Sequence, residues 1–222
     1  MELNNITFDK KYIDCETHGN SEALLNGKCA ACFRELLEKE KMKEHNQRKL
    51  LIKRDIKIPP RYFNATFDSY IPDNEKAAEL KRLCEDYSYD TNLILVGTVG
   101  VGKTHLACAI IDKALDNKKR CYYVPYYCLA DIKIRDPQLY KVLLIVDVLV
   151  IDEYGVHDST NKNNYLFEII NERYNNMVNT ILLSNLTLQT FKENIGEAAH
   201  SRLKENVETH EAVWSDYRKK GK

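Results

Sequence analysis

Eight consecutive residues, Gly97-Thr98-Val99-Gly100-Val101-Gly102-Lys103-Thr104, have the types and spacing needed to hold a nucleoside triphosphate. Glycines let backbone N–H groups close around phosphate oxygens; Lys103 places a point charge toward the β- and γ-phosphates; the Thr104 hydroxyl is suited to ligate Mg²⁺. Downstream, Leu149-Val150-Ile151-Asp152-Glu153 ends an apolar run on two carboxylates. Such a pair is often only a strand cap. Beside a phosphate loop it has a chemical reading: Asp152 holds Mg²⁺ directly or through water, and Glu153 polarises the water that attacks the γ-phosphate. Leu182-Leu183-Ser184-Asn185 repeats the pattern of an apolar run ending in polar residues. The Asn185 amide would either orient the attacking water or form the turn before a helix around Thr187 to Lys192. Asp147, at the start of its apolar run, is too far from the metal end and reads as a boundary residue.

A second constellation precedes these. Cys15-x2-His18 and Cys29-x2-Cys32 are two close pairs separated by a short loop, with Gly19 and Gly27 for turns. Three thiolates and one imidazole at this spacing suit a closed, tetrahedral Zn²⁺ site with no open position for catalytic water. About 30 residues are too few to bury a core of their own without such a staple. The alternative is four unlinked residues with reduced, half-buried cysteines. Cys84, Cys108, Cys121 and Cys128 show no such ligand-pair spacing and read as small core residues.

These groups need a scaffold that brings them to one place. From Arg61 onward, apolar runs alternate with helix-period segments, as in a parallel α/β sheet covered on both faces. The strand candidates are Asn92–Val96, Arg120–Pro125, Val148–Asp152, Thr180–Asn185 and Val207–Trp214, with a helix over Thr104–Leu115. In such sheets ligands sit at the carboxyl ends of the strands, so the phosphate loop and Asp152 should converge on one crevice. Between them and the cysteine module, Phe33 to Ile58 lacks Gly and Pro and is rich in Glu, Lys and Leu. It reads as a long solvated helix or helical linker, ended by Pro59-Pro60. Its local basic excess fits either a face that lies on nucleic acid or an ordinary solvated helix. The expected organisation is therefore a zinc module over 1–33, a charged helical linker over 34–58 and an ATPase domain over 59–222.

The 222 residues carry 33 basic and 33 acidic side chains, so no global field advertises nucleic acid or membrane. No apolar run approaches the length of a membrane span, and Met1-Glu2-Leu3-Asn4-Asn5 begins no secretory or transit signal, which points to a cytoplasmic protein. Tyr122, Tyr123, Tyr126 and Tyr127 could stack on bases, but alternating burial in a strand accounts for at least half of them.

Taken together, several segments resemble the DnaC/DnaI-type helicase loaders and the closely similar IstB transposition ATPases, a branch of the AAA+ family. They are the loop Gly97 to Thr104, Asp147 to Gly155, Leu183-Ser184-Asn185-Leu186-Thr187, His200-Ser201-Arg202-Leu203, the ending Trp214-Ser215-Asp216-Tyr217-Arg218, and the Arg61 to Tyr70 segment. The resemblance covers roughly residues 58 to 219. It implies an α/β AAA+ core: a five-stranded parallel sheet flanked by helices, without a separate lid domain. It also implies ATP with Mg²⁺, bound through Gly97, Gly100, Val101, Gly102, Lys103, Thr104, His105 and Asp152. Asn185 takes the sensor-1 position, Arg202 that of an arginine finger completing a neighbouring subunit's site, and Arg218 the sensor-2 position. The ending reads Trp-Ser-Asp-Tyr-Arg where the family more often has Trp-x-Ser-Tyr-Arg. Cys15, His18, Cys29 and Cys32 resemble the zinc adaptor of some loaders, which contacts the helicase while the ATPase module engages single-stranded DNA.

The expected function is an ATP-dependent loader that forms homo-oligomers and delivers a hexameric replicative helicase onto single-stranded DNA. One alternative is a transposition helper that binds duplex DNA and a transposase. The other is a nucleotide-regulated adaptor with little turnover.

Overall fold

The structure, a computed structural model, describes residues 11–155 and 163–217. The chain divides into two compact units, residues 1–51 and 52–222. In the first, β1 (Tyr12–Cys15) pairs antiparallel with β2 (Gly19–Glu22), and Cys15 lies opposite Gly19. After a bridge between Ala23 and Cys29, helix α1 (Ala30–Asp55) begins. It starts earlier than the Phe33 read from composition, so Cys32 lies in its first turn. Its charged middle is exposed, as a helix without an apolar stripe should be.

The second unit is built on five parallel strands: β3 (Asn92–Gly97), β4 (Cys121–Pro125), β5 (Val148–Tyr154), β6 (Thr180–Ser184) and β7 (Val207–Ala212). Their order in the sheet is β4-β5-β6-β3-β7. Helices α2 (Glu75–Asp86), α3 (Lys103–Asp116), α4 (Leu129–Arg135), α5 (Pro137–Leu143), α6 (Asn163–Asn175), α7 (Leu188–Ile195) and α8 (Glu197–Lys204) cover it. Successive strand side chains take opposite faces. Leu93 and Leu95 join Leu106, Ile110 and Ile111 in one core, while Ile94 and Val96 join Leu166, Ile169 and Phe191 in the other. Burial on both faces is why these strands read as unbroken apolar runs. β7 stops at Ala212, so Trp214 lies beyond the strand predicted to contain it, and β5 continues past Asp152 to Tyr154.

One buried polar tie holds the amino-terminal ends of the strands. Arg173 is 1% exposed, and its guanidinium donates to Leu143 O at 2.7 Å, Val146 O at 3.0 Å and Thr180 Oγ1 at 2.9 Å. Burial pulls its pKa down to about 9, and the carbonyls it satisfies offset the cost of enclosing it. No helix among the described residues is long and apolar enough to cross a membrane.

Candidate functional site

The phosphate loop links the end of β3 to the start of α3, which aims the first-turn N–H groups of α3 at the crevice. Gly102 has φ 98°, and a Cβ there would come within 2.4 Å of the Tyr70 ring. Gly97 has φ 125°, and its Cβ would meet Ala212 O at 2.0 Å. Gly97 is thus required by its neighbour β7; it does not line the crevice, whereas Gly100, Val101, Gly102, Lys103, Thr104 and His105 do. Lys103 Nζ donates to Gly97 O and Thr98 O, each at 2.8 Å. Burial pulls its pKa down to about 8, with Asp152 opposing the shift.

Register explains how Asp152 reaches the loop. Val148, Val150 and Asp152 share the face of β5 toward α3, the first two within the same core as Leu106 and Ile110. Asp152 then accepts the Thr104 hydroxyl on Oδ2 at 2.8 Å. Its Oδ1 accepts the Glu153 N–H at 2.6 Å. A hydroxyl and a buried carboxylate facing each other offer the hard oxygen donors that Mg²⁺ prefers, so these residues fit the ion. Glu153 is exposed and sits at φ 62°, where the β5–β6 register shifts between Ile151 and Tyr154. A bulge with a left-handed residue re-aims one side chain out of the strand's alternation, and such strain is commonly kept at functional sites. Here it puts Glu153 on the crevice wall.

The crevice encloses about 380 Å³. Asn185, immediately after β6, lines it. So do Arg61, Tyr70, Asp73, Trp214 and Tyr217, which motif spacing did not single out as site residues. Tyr70 donates to Val101 O at 3.1 Å, and its ring meets that of His105 edge-on at 5.5 Å between centroids. His105 Nε2 donates to Thr66 O at 3.1 Å, tying α3 to the same segment. The cluster of aromatic residues from Tyr62 to Tyr70 is the signal that could have marked this wall. The carboxyl-terminal segment closes another side, with Thr98 Oγ1 donating to Trp214 O at 3.0 Å and Tyr217 N–H to Gly100 O at 3.1 Å.

Arg202 is not brought to this crevice. It lies on α8 in the wall of a separate cavity of about 530 Å³ shared with Asn92 and Thr180, the first residues of β3 and β6. Its Nε donates to Asn171 Oδ1 at 2.5 Å, and the guanidinium lies 5.4 Å from the Phe167 ring centroid. Arg218 lies outside the described residues.

Within the first unit, the ligand atoms of Cys15, His18, Cys29 and Cys32 all lie within 4.8 Å of one another. Cys15 and Cys32 Sγ are 3.5 Å apart; His18 Nδ1 lies 3.3 Å from Cys32, 3.8 Å from Cys15 and 3.9 Å from Cys29. Zinc bonds of about 2.3 Å to sulfur and about 2.0 Å to nitrogen give tetrahedral edges of about 3.5 to 3.8 Å, so the set fits the ion. His18 Nε2 contacts Glu35 Oε1 at 2.8 Å, the carboxylate partner that commonly fixes a ligating imidazole. Hydrogen bonding to His18 pulls the Cys15 thiol down to about 6.

The sequence pattern of the family of IstB-like ATP binding proteins matches residues 26–213. An ATP-binding protein of insertion sequence IS5376 from Geobacillus stearothermophilus is 31% identical over 114 residues, covering 48% of this chain and 45% of that one. The chain spans less than two thirds of the length of the curated relatives it matches. Among solved structures, the DnaC helicase loader superposes with a TM-score of 0.62 at 26% identity, over 71% of this chain and all of that one. DnaI superposes with a TM-score of 0.61 at 19% identity, over 72% of this chain and 94% of that one.

Proposed function

The chain belongs to the family of IstB-like ATP binding proteins, and on that premise we propose that it is an assembly-dependent ATPase that loads a replicative helicase onto single-stranded DNA. Lys103 and the crevice-lining loop residues bind the triphosphate, Thr104 and Asp152 hold Mg²⁺, Glu153 activates water and Asn185 orients it. Bound Mg²⁺ would neutralise charge developing on the transferred phosphoryl group. Residues 59–222 make up the ATPase domain, 34–58 the charged helical linker and 1–33 the zinc adaptor that grips the protein partner.

The Cys15/His18/Cys29/Cys32 cluster is the observation that carries the loader reading, because a closed structural site has no catalytic use and stabilises a small surface for a partner. The DnaC loader among the structural neighbours supports the same direction. The test is co-elution of the zinc-loaded protein with the replicative helicase of its own host or replicon, with ATP and single-stranded DNA present. A stable complex is expected. Failure to bind that helicase would overturn the reading. The insertion-sequence relatives favour a second reading, a transposition helper; binding to duplex DNA together with a transposase of its own host or replicon would establish it.

The adaptor makes its own prediction. The purified protein should carry one zinc per chain, and Cys29→Ser should lose it. Structural zinc contributes on the order of 10 kcal/mol or more to small domains, so the variant should lose the order of the amino-terminal unit. Metal content and proteolysis of that unit check this; a metal-free but equally protease-resistant wild type would refute it.

A further inference from the structure

Asp152 has a third donor that neither the phosphate loop nor its own strand supplies. Tyr123 on β4 donates its phenol to Asp152 Oδ2 at 2.8 Å, the same oxygen that accepts from Thr104. Register accounts for the contact: Tyr123 pairs with Val150 and Pro125 with Asp152, so the tyrosine is diagonal to the carboxylate on the same face of the sheet. The phenol is 3% exposed.

We propose that Tyr123 is a positioning residue for the magnesium site, holding Asp152 in one orientation through a hydrogen bond to Oδ2; this rests on reading the crevice as a Mg²⁺-nucleotide site. Thr104 alone could not provide that constraint, since its own hydroxyl oxygen is a candidate ligand and must adjust when the ion arrives. Tyr123 sits behind the carboxylate, does not line the crevice, and is held by the core formed with Val150, Cys108 and Leu106. Its bond can persist with or without the ion. With Glu153 N–H on Oδ1, the two outer donors fix both oxygens. A phenol that served only to satisfy itself in the core would not affect what Asp152 binds.

The full zinc-loaded chain is titrated with a fluorescent ATP derivative in EDTA and in rising MgCl₂. Tyr123→Phe should bind the nucleotide as wild type does in EDTA, yet require roughly tenfold more Mg²⁺ for the metal-dependent gain in affinity, as loss of an outer-sphere partner commonly costs. Replacement of Tyr123 by para-aminophenylalanine, which keeps a donor at the same point, should restore most of the response and serves as the folding control. In an Asp152→Asn background Tyr123→Phe should add nothing further, because coupled partners are not additive. An unchanged Mg²⁺ titration, an equal loss in EDTA, or a full additional effect in Asp152→Asn would overturn the inference. No Mg²⁺-dependent binding by the wild type would instead overturn the reading of the crevice.

Discussion

Glu153→Gln should leave ATP affinity within about twofold of wild type while lowering turnover by roughly 10²–10⁴, the range typical of a lost general base. The separation follows from geometry. Binding rests on the loop and Lys103, whose ammonium already has two carbonyl acceptors that phosphate oxygens could replace. Glu153 is held through its backbone, by the bulge and its N–H bond to Asp152, and the carboxylate is exposed on the crevice wall. Glutamine keeps the size and the left-handed backbone requirement but cannot take the proton. Lys103→Ala should show the opposite pattern, losing nucleotide binding first. Phosphate release with and without DNA, alongside direct nucleotide titration, checks both; turnover within twofold of wild type in Glu153→Gln would remove Glu153 from the mechanism.

The residues of the crevice differ in how openly the sequence displays them, and the difference is physical. The loop and the β5 run are local patterns, set by glycine's freedom, apolar burial and a terminal carboxylate, so spacing alone reveals them. The Cys15/His18/Cys29/Cys32 set is equally local, because two close pairs need only a short turn between them. What spacing hides is anything decided by pairing between distant strands. The bulge that carries β5 on to Tyr154 depends on the register with β6, and the φ of 62° at Glu153 is a consequence of that pairing. Tyr123 reaches Asp152 only because β4 lies beside β5 in a particular register. Tyr122 and Tyr123 are both buried, one on each face of the sheet, and Tyr126 is buried too, while Tyr127 stays 43% exposed. The tyrosines therefore serve chiefly as core. Gly97, which looks like part of the phosphate cradle, is fixed by contact with Ala212, more than a hundred residues away in the chain.

Arg202 supplies the other large expected effect. It lines the cavity that includes Asn92, at the first residue of β3, while the phosphate loop follows the last residue of the same strand. A rise of about 3.3 Å per residue puts the two ends of this strand about 17 Å apart, beyond the reach of one arginine side chain. In its own subunit Arg202 therefore cannot touch the γ-phosphate; offered to a neighbour, its half-buried guanidinium on α8 could. Arg202→Ala should then bind ATP normally and lose roughly 10³–10⁵ in turnover within the assembly, the usual contribution of an arginine supplied from outside the site. A purely structural role, through Asn171 and the Phe167 ring, predicts instead a loss of stability with turnover falling only in proportion to folded protein. Mixing separates them. Arg202→Ala subunits keep an intact loop and Lys103→Ala subunits keep the arginine, so a mixed assembly contains interfaces with both. Activity appearing on mixing two inactive proteins, measured as phosphate release at constant total concentration, would establish action across the interface; mixtures no more active than their parts would assign Arg202 to the fold of α6 and α8.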